Sequence, residues 1–335
     1  MSFPAIGDLA QFMTTRRQSA TLQSRLGQLT QELSSGQTAD VTRRVGASFG
    51  TLSDIEHRLT LNAAQKTASA EAAVQATTMQ TALGMVHAQL TEISGATIFS
   101  TGIQEGGAFD AAATAARGGL DAMISALNTH VAGRPVFSGT DLASAPLISG
   151  DEMMNAARSA VSGASDAAGV IAALDTFFDT PGGGFRSIAY KGGDQDMSPF
   201  RLGAGESVQL SVRADDPALR SAMKSAVMAA LAGDDGLTLA QGQRGALMQA
   251  AGAAILSDTD ALTHIRSDLG HAEARIDRAM ARNSAEETSL SMMRNKIMSV
   301  DMFETASALE QVQLQLETIY TLTARTSRLN LVNFL

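Results

Sequence analysis

The feature that most constrains this chain is a seven-residue apolar frame running through its C-terminal stretch, from Leu262 to Leu335. Steps of three and four pick out Leu262, Ile265, Leu269, Ala272, Ile276 and Ala279, pass through Asn283 and Glu286, and resume at Leu290, Met293, Ile297 and Val300. Beyond Val300 the frame slips, and a second one reads Met302, Thr305, Leu309, Val312, Leu316, Ile319, Thr323 and Thr326. Apolar residues at this spacing form a narrow seam on a helix, which a partner helix buries. Between Leu262 and Leu329 there is no proline, and the only glycine is Gly270. The pattern predicts two long helical segments joined by a break near Ser299–Asp301, and helices this long need partners of similar length.

The N-terminus supplies one. Over residues 5–33 the frame Phe12, Thr15, Ser19, Leu22, Leu26, Leu29 and Leu33 is a heptad seam, polar in its first half. Ser34-Ser35-Gly36 ends it, with Gly36 suited to a left-handed cap. The polar, glycine-punctuated stretch 37–51 reads as a connecting loop. A second long helix is expected from Asp54 to about Ser94, its stripe opening on Ile55, Leu59 and Asn62, before Gly95, Gly102, Gly106 and Gly107 break the chain. A third is expected from about Phe109 to His130. Gly133-Arg-Pro-Val-Phe-Ser-Gly139 is too short and proline-marked for a helix, and it opens a mixed insertion over 141–236.

Within that insertion Glu152–Val161 and Ser165–Phe178 look helical, while Phe185–Lys191 and Ser207–Ala214 alternate as half-buried strands do. Gly192–Gly205 between them reads as a linker longer than a tight hairpin. Asp215-Asp216-Pro217 starts another helix, Ala218 to Ala232, with an acidic cap and proline in the first turn. The chain re-enters helix near Thr238.

Composition narrows the function. Aromatics are only 4% and Trp is absent, so the core must be built from small aliphatic side chains on closely packed helices. A net charge of −9 and a pI near 5.1 argue against nucleic acid, whose phosphates demand a basic face. The absence of cysteine excludes disulfides and thiolate chemistry. The start, Met1-Ser-Phe-Pro-Ala-Ile-Gly-Asp, lacks a basic region followed by an apolar one, so no secretory signal peptide is expected. Apolar windows fall short of the roughly 20 residues that cross a bilayer.

No catalytic constellation emerges. His264 and His271 share a helix flank but stand about 10 Å apart along it at 1.5 Å per residue, too far to share a metal. Asp194-Gln-Asp196 lacks the third acidic ligand and closing glutamate of a calcium loop, and turn chemistry accounts for it. Gly182–Gly184 and Gly203-Ala-Gly205 precede no Lys-Ser/Thr helix start. Asn283 and Glu286 admit two readings: the seam turns to water there, or polar residues set register at some loss of stability. No enzyme activity, cofactor or metal is expected.

Three pieces carry a resemblance. Leu33-Ser-Ser-Gly36 after a heptad helix is similar to an "LSSG/STG" step, and Gly133–Gly139 resembles "GRYIFSG". Lys296-Ile-Met-Ser-Val-Asp-Met-Phe303 through Leu329-Asn-Leu-Val-Asn-Phe-Leu335 is similar to a "RIEDVD-" step, a heptad helix and an "-LSLFNYL" close. Together with a "YKGGDQ" piece at 190–195, these resemble the flagellin superfamily, and within it the hook-associated protein 3 family of hook–filament junction proteins. One stretch departs: after Gly36 the family's Asn/Pro-Ser-Asp-Asp-Pro-type turn is replaced by Gln-Thr-Ala-Asp-Val-Thr-Arg-Arg-Val-Gly46, so that turn's contacts are not carried over.

The expected fold is mainly α: an elongated antiparallel helical bundle or coiled coil formed by N- and C-terminal helices, with a small inserted α+β domain. The expected divisions are an N-terminal assembly helix (1–36), a helical bundle domain (37–140 and 237–300), the insertion (141–236) and a C-terminal assembly helix (301–335). The resemblance implies export to the extracellular flagellum without a cleaved signal peptide. It also implies helical or ring self-assembly through the termini, between hook-associated protein 1 and flagellin, after escort by an export chaperone. Neither nucleic acid nor membrane is an expected partner. The interface is assigned to Phe12, Leu22, Leu26, Leu29, Leu33, Met302, Leu309, Val312, Leu316, Ile319, Phe334 and Leu335. Filament flagellin is the nearest alternative, and a cytoplasmic coiled-coil scaffold a further one.

Overall fold

A computed structural model describes residues 6–46, 49–103 and 106–332. Their contacts divide into a terminal unit, Met1–Ala63 with Ala285–Leu335, and a mid-chain unit, Ala64–Ser284. The chain is mainly α, with long bundle-forming helices and, among the described residues, two very small sheets.

The terminal unit holds α1 (Ile6–Ser35), α2 (Val41–Val45), the start of α3 (Phe49–Ile103), the end of α8 (Gln241–Met298) and α9 (Met302–Val332). Here α1 packs along α9. Leu52 and Ile55 of α3 and Leu290 of α8 are buried, and Arg58 of α3 reaches Glu286 of α8 at 2.6 Å. That pair is half exposed, so it adds at most about 1 kcal/mol. Glu286 thus faces solvent and a cation. Met293, expected on the buried seam, is exposed; Ile297 stays half-buried on it.

The mid-chain unit holds the rest of α3 and α8, with α4 (Gly106–Leu127), α5 (Gly150–Val161), α6 (Ala167–Asp179) and α7 (Pro217–Ala232). Its hairpins are β1 (His130–Val131) with β2 (Arg134–Pro135), and β3 (Phe200–Gly203) with β4 (Glu206–Val208), both antiparallel. One continuous core joins Leu83 and Leu90 of α3, Leu120 of α4, Met153 of α5, Leu174 of α6, Val227 of α7 and Leu262 of α8. Small residues make the close packing possible. A Cβ on Gly119 of α4 would sit 2.8 Å from Ile93 Cδ1 of α3, and Ala222, Ala226 and Ala229 line the buried side of α7. The Gln80 side chain of α3 exchanges two hydrogen bonds with Arg266 of α8, Nε2 to the carbonyl at 3.1 Å and Arg266 Nε to Oε1 at 3.2 Å.

Helix starts follow local chemistry. Ser149 and Glu152 form a reciprocal capping box at α5, and Ser149's hydrogen bonds hold the Glu152 carboxyl below its ordinary range. Asp166 accepts from Gly169 N at α6, and Asp216 caps α7 with Pro217 in its first turn.

Several sequence expectations shift. The second helix does not stop near Ser94: α3 begins at Phe49 and runs through Gly95 to Ile103, with Thr97 and Ser100 buried. One exposed glycine costs a helix only about 1 kcal/mol. The 37–51 stretch is not all loop, since Asp40 caps the short α2 by accepting from Arg43 N at 3.0 Å. Phe185–Ala189 is a π-helical turn rather than a strand, with Phe185 and Ala189 buried at helical spacing. Of the second expected strand, 207–214, only Ser207 and Val208 pair, in β4, although Val208 and Leu210 still face inward. The supposed linker contributes β3, which turns tightly into β4 at Gly205, φ +74°. Gly133–Gly139 completes the β1–β2 hairpin, whose two-residue turn is Ala132 and Gly133, both at positive φ.

Candidate assembly surface

The two predicted breaks, at Gly36 and at Ser299–Asp301, meet. Gly36 adopts φ +69° and donates its N–H to Glu32 O at 2.9 Å, ending α1. Gln37 and Ser299 then form an antiparallel bridge, with Thr38 N donating to Met298 O at 2.9 Å and Val300 N to Gly36 O at 3.1 Å. Asp301 restarts the helix, its Oδ1 accepting from Phe303 N at 2.9 Å and Glu304 N at 3.1 Å. Glu32, 6% exposed, braces this clasp from α1. Its Oε1 accepts from Ala39 N at 3.0 Å and lies 3.4 Å from the Thr38 hydroxyl. A buried carboxylate needs such donors.

Beyond the clasp α1 and α9 cover one another along a single stripe. Leu29, Val312 and Leu316 are buried at its centre, with Leu22, Leu26 and Leu309 packed against them. Leu33 and Ile319 are half-buried, as are Thr15 and Ser19. Gln23 Nε2 donates to the Tyr320 hydroxyl at 2.8 Å, tying the helices farther out. Phe12 and Met302, placed on the seam by spacing alone, are exposed instead, and Phe334 and Leu335 lie outside the described residues.

The stripe therefore accounts for only part of α9's apolar surface. Phe303 is 83% exposed and Leu314 66% exposed. At about 100° per residue their spacing of eleven places both on the side of α9 away from Val312. Leu322 is exposed as well. Heptad reading found the covered stripe but missed this second face. The signal lay in Phe303 and Leu314 themselves, large apolar residues off the frame.

A second meeting of motifs lies within the mid-chain unit. The 133–139 and 190–195 segments interlock: Gly193 N donates to Ser138 O at 2.8 Å, Thr140 N to Gln195 O at 3.0 Å, and the Tyr190 hydroxyl to Gly193 O at 2.9 Å. Gly139 has φ +63°, and a Cβ there would sit 2.4 Å from Gln195 O. Asp194 and Asp196 are ion-pair partners rather than a metal loop. Arg186 reaches Asp194 at 2.6 Å and Arg213 reaches Asp196 at 2.6 Å, while both arginines engage the buried Asp215. Among the described residues no cluster of three or more His, Cys, Asp or Glu is placed to hold a metal. His264 and His271 are exposed. A groove of about 470 Å³ beside α6, lined by Ala160, Phe177, Pro181 and Gly182–Gly184 among others, carries no ionisable side chain. No described helix is long and apolar enough to cross a membrane.

Residues 252–335 match the family model of the bacterial flagellin C-terminal helical region. The chain is thus flagellin-like over the part of α8 and all of α9 that carry the clasp and the stripe. Solved structures share its fold, among them the following two. FlgL of Bacillus cereus aligns with a TM-score of 0.52 at 16% identity, covering 73% of this chain and 100% of that one. A structure assigned to the flagellar hook-associated proteins of Vibrio parahaemolyticus aligns with a TM-score of 0.52 at 13% identity, covering 75% and 97%. At these identities the likeness is one of fold. No curated protein sequence matches the chain significantly.

Proposed function

We propose that this protein is a structural component of the bacterial flagellum, assembling with copies of itself through α1 and α9 and joining hook-associated protein 1 to the flagellin filament. The observation that carries the reading is the second apolar face of the terminal unit, around Phe303 and Leu314, left exposed on the side of α9 opposite the stripe that α1 and α9 already share. Exposed apolar side chains grouped on one helix mark an interaction surface. In this reading Leu22, Leu26, Leu29, Leu33, Leu309, Val312, Leu316 and Ile319 hold the two assembly helices together. Phe12 and Met302, with Phe334 and Leu335 at the chain end, reach neighbouring subunits.

The flagellin C-terminal match and the FlgL-like fold support a place in the flagellum. In this reading the protein is exported to the flagellum, escorted by a chaperone that keeps α9 from premature association. Its role is mechanical, not catalytic. Filament flagellin is the second reading, favoured by the same C-terminal match.

Deleting the gene separates the two. The junction role predicts hooks without filaments and flagellin released into the medium. Hooks that still carry filaments refute it. A label on this protein appearing along the whole filament transfers the assignment to flagellin.

A further inference from the structure

The chain has no cysteine and 16 methionines, so the thioether is its most readily oxidised side chain. The methionines are unevenly protected. In the mid-chain unit Met79, Met123, Met153, Met223 and Met248 are no more than 1% exposed. In the terminal unit no described methionine is buried: Met298 is half-buried, and Met13, Met292, Met293 and Met302 are exposed, Met292 to 66%. Three of these, Met292, Met293 and Met302, flank the Gln37–Ser299 bridge within eleven residues, and Met302 adjoins Phe303.

We propose that Met292, Met293 and Met302 form an oxidation site through which a peroxide switches off self-assembly. The proposal rests on the assembly role argued above and adds its regulation. In the reaction a sulfur lone pair attacks one peroxide oxygen, the O–O bond breaks and an S–O bond forms. Sulfur is oxidised by two electrons, and the departing oxygen takes the remaining proton to leave as water. The product replaces an apolar, adaptable side chain by a polar one that must be desolvated if a neighbouring subunit covers it. None of the three sulfurs belongs to the described core, so oxidation leaves the subunit folded. The chemistry is reversible by enzymatic reduction, and an assembled surface would shield the same sulfurs.

The test uses the full chain treated with hydrogen peroxide, with sulfoxides located by peptide mass and self-association followed by sedimentation over a concentration series. Expected are sulfoxides at Met292, Met293 and Met302 ahead of Met79 and Met123, unchanged far-ultraviolet circular dichroism, and association weakened at least about tenfold. A variant combining Met292→Leu, Met293→Leu and Met302→Leu keeps its association in peroxide. A variant with Met85→Leu and Met280→Leu, which removes exposed methionines of the mid-chain unit, gains no protection. Full oxidation at the three positions with undiminished association overturns the switch, as does equal sensitivity of the triple-leucine variant. An untreated chain that never self-associates overturns the assembly reading, and the switch with it.

Discussion

Two asparagines set equally deep in the long helices should respond oppositely to the same substitution. Asn62 of α3 and Asn283 of α8 are each 2% exposed. Asn62 has neither amide atom hydrogen-bonded. Asn283 donates Nδ2 to Leu202 O at 2.8 Å, and Leu202 sits where a register shift interrupts the β3–β4 pairing. A β-bulge leaves backbone groups without ladder partners, and the asparagine supplies one. Leucine keeps asparagine's branched outline but is bulkier, and because both sites receive the same added bulk, the contrast between the two substitutions isolates polarity. In Asn62→Leu a buried donor and acceptor that gain nothing from folding disappear, and each such group costs about 1–3 kcal/mol. Stability should rise by about 1–3 kcal/mol. In Asn283→Leu the Leu202 carbonyl is stranded, and stability should fall by about 1–3 kcal/mol. Because the chain has two units, one unfolding midpoint is not a clean measure. Amide hydrogen exchange read separately over 49–63 and over 200–208 with 276–290 resolves the two effects. A loss of stability in Asn62→Leu would show that its amide has a role that geometry does not reveal, and the argument fails. A neutral Asn283→Leu would refute the account of the bulge.

Gly139→Ala forces an L residue to φ +63° and drives a methyl into the Gln195 carbonyl, so two hydrogen bonds between 138–140 and 193–195 are strained. The cost should be about 3 kcal/mol by amide hydrogen exchange read over 134–140 and 190–196, counting the left-handed penalty and about 1 kcal/mol per bond. Burial pushes the Asp258 carboxyl up, only partly offset by hydrogen bonds from Ser221 and Ser225 and by nearby Lys224, while Asp179 pushes it further. The folded state therefore holds this proton longer than the unfolded chain, and the site favours folding most at low pH, less as pH rises through the unfolded and then the folded value. Asp258→Asn should gain stability relative to the parent as pH rises above the ordinary carboxylate value of about 4, and a pH-independent difference in amide exchange protection over 217–232 and 251–262 contradicts this. Leu316→Ala should cost about 2 kcal/mol, the low end for a buried leucine because its stripe is narrow, with faster amide exchange confined to α1 and α9.

What the sequence made legible was whatever is encoded locally. Gly36 and the frame slip at Ser299–Asp301 are stop signals written in a few neighbouring residues, and both lie where helices end. The α1 and α9 stripes from Thr15 to Leu33 and from Thr305 to Ile319 follow the apolar period for the same reason. The clasp between the breaks was not legible, because its bonds join backbone atoms that carry no side-chain signature. Spacing alone leaves Asn283 between two readings, because its partner is a carbonyl 81 residues away. Ser225 and Asp258 meet at 2.5 Å across two helices for an equally nonlocal reason. Phe185–Ala189 is ambiguous in sequence because a short apolar run of five residues fits a strand or a helical turn, and nothing local announces that Gly184 before it packs so close to Phe177 that a Cβ would clash.

The discontinuity of the terminal unit also has a consequence during synthesis. Leu29 leaves the ribosome long before Val312 and Leu316, its partners, exist. At about 5–20 residues per second the delay is on the order of tens of seconds. Throughout it α1 has no stripe to lie against, whereas Ala64–Ser284 becomes complete and free to fold earlier. The helix that closes α1 is made after the whole mid-chain unit, so in a newborn chain α1 waits uncovered beside a body that is already free to fold.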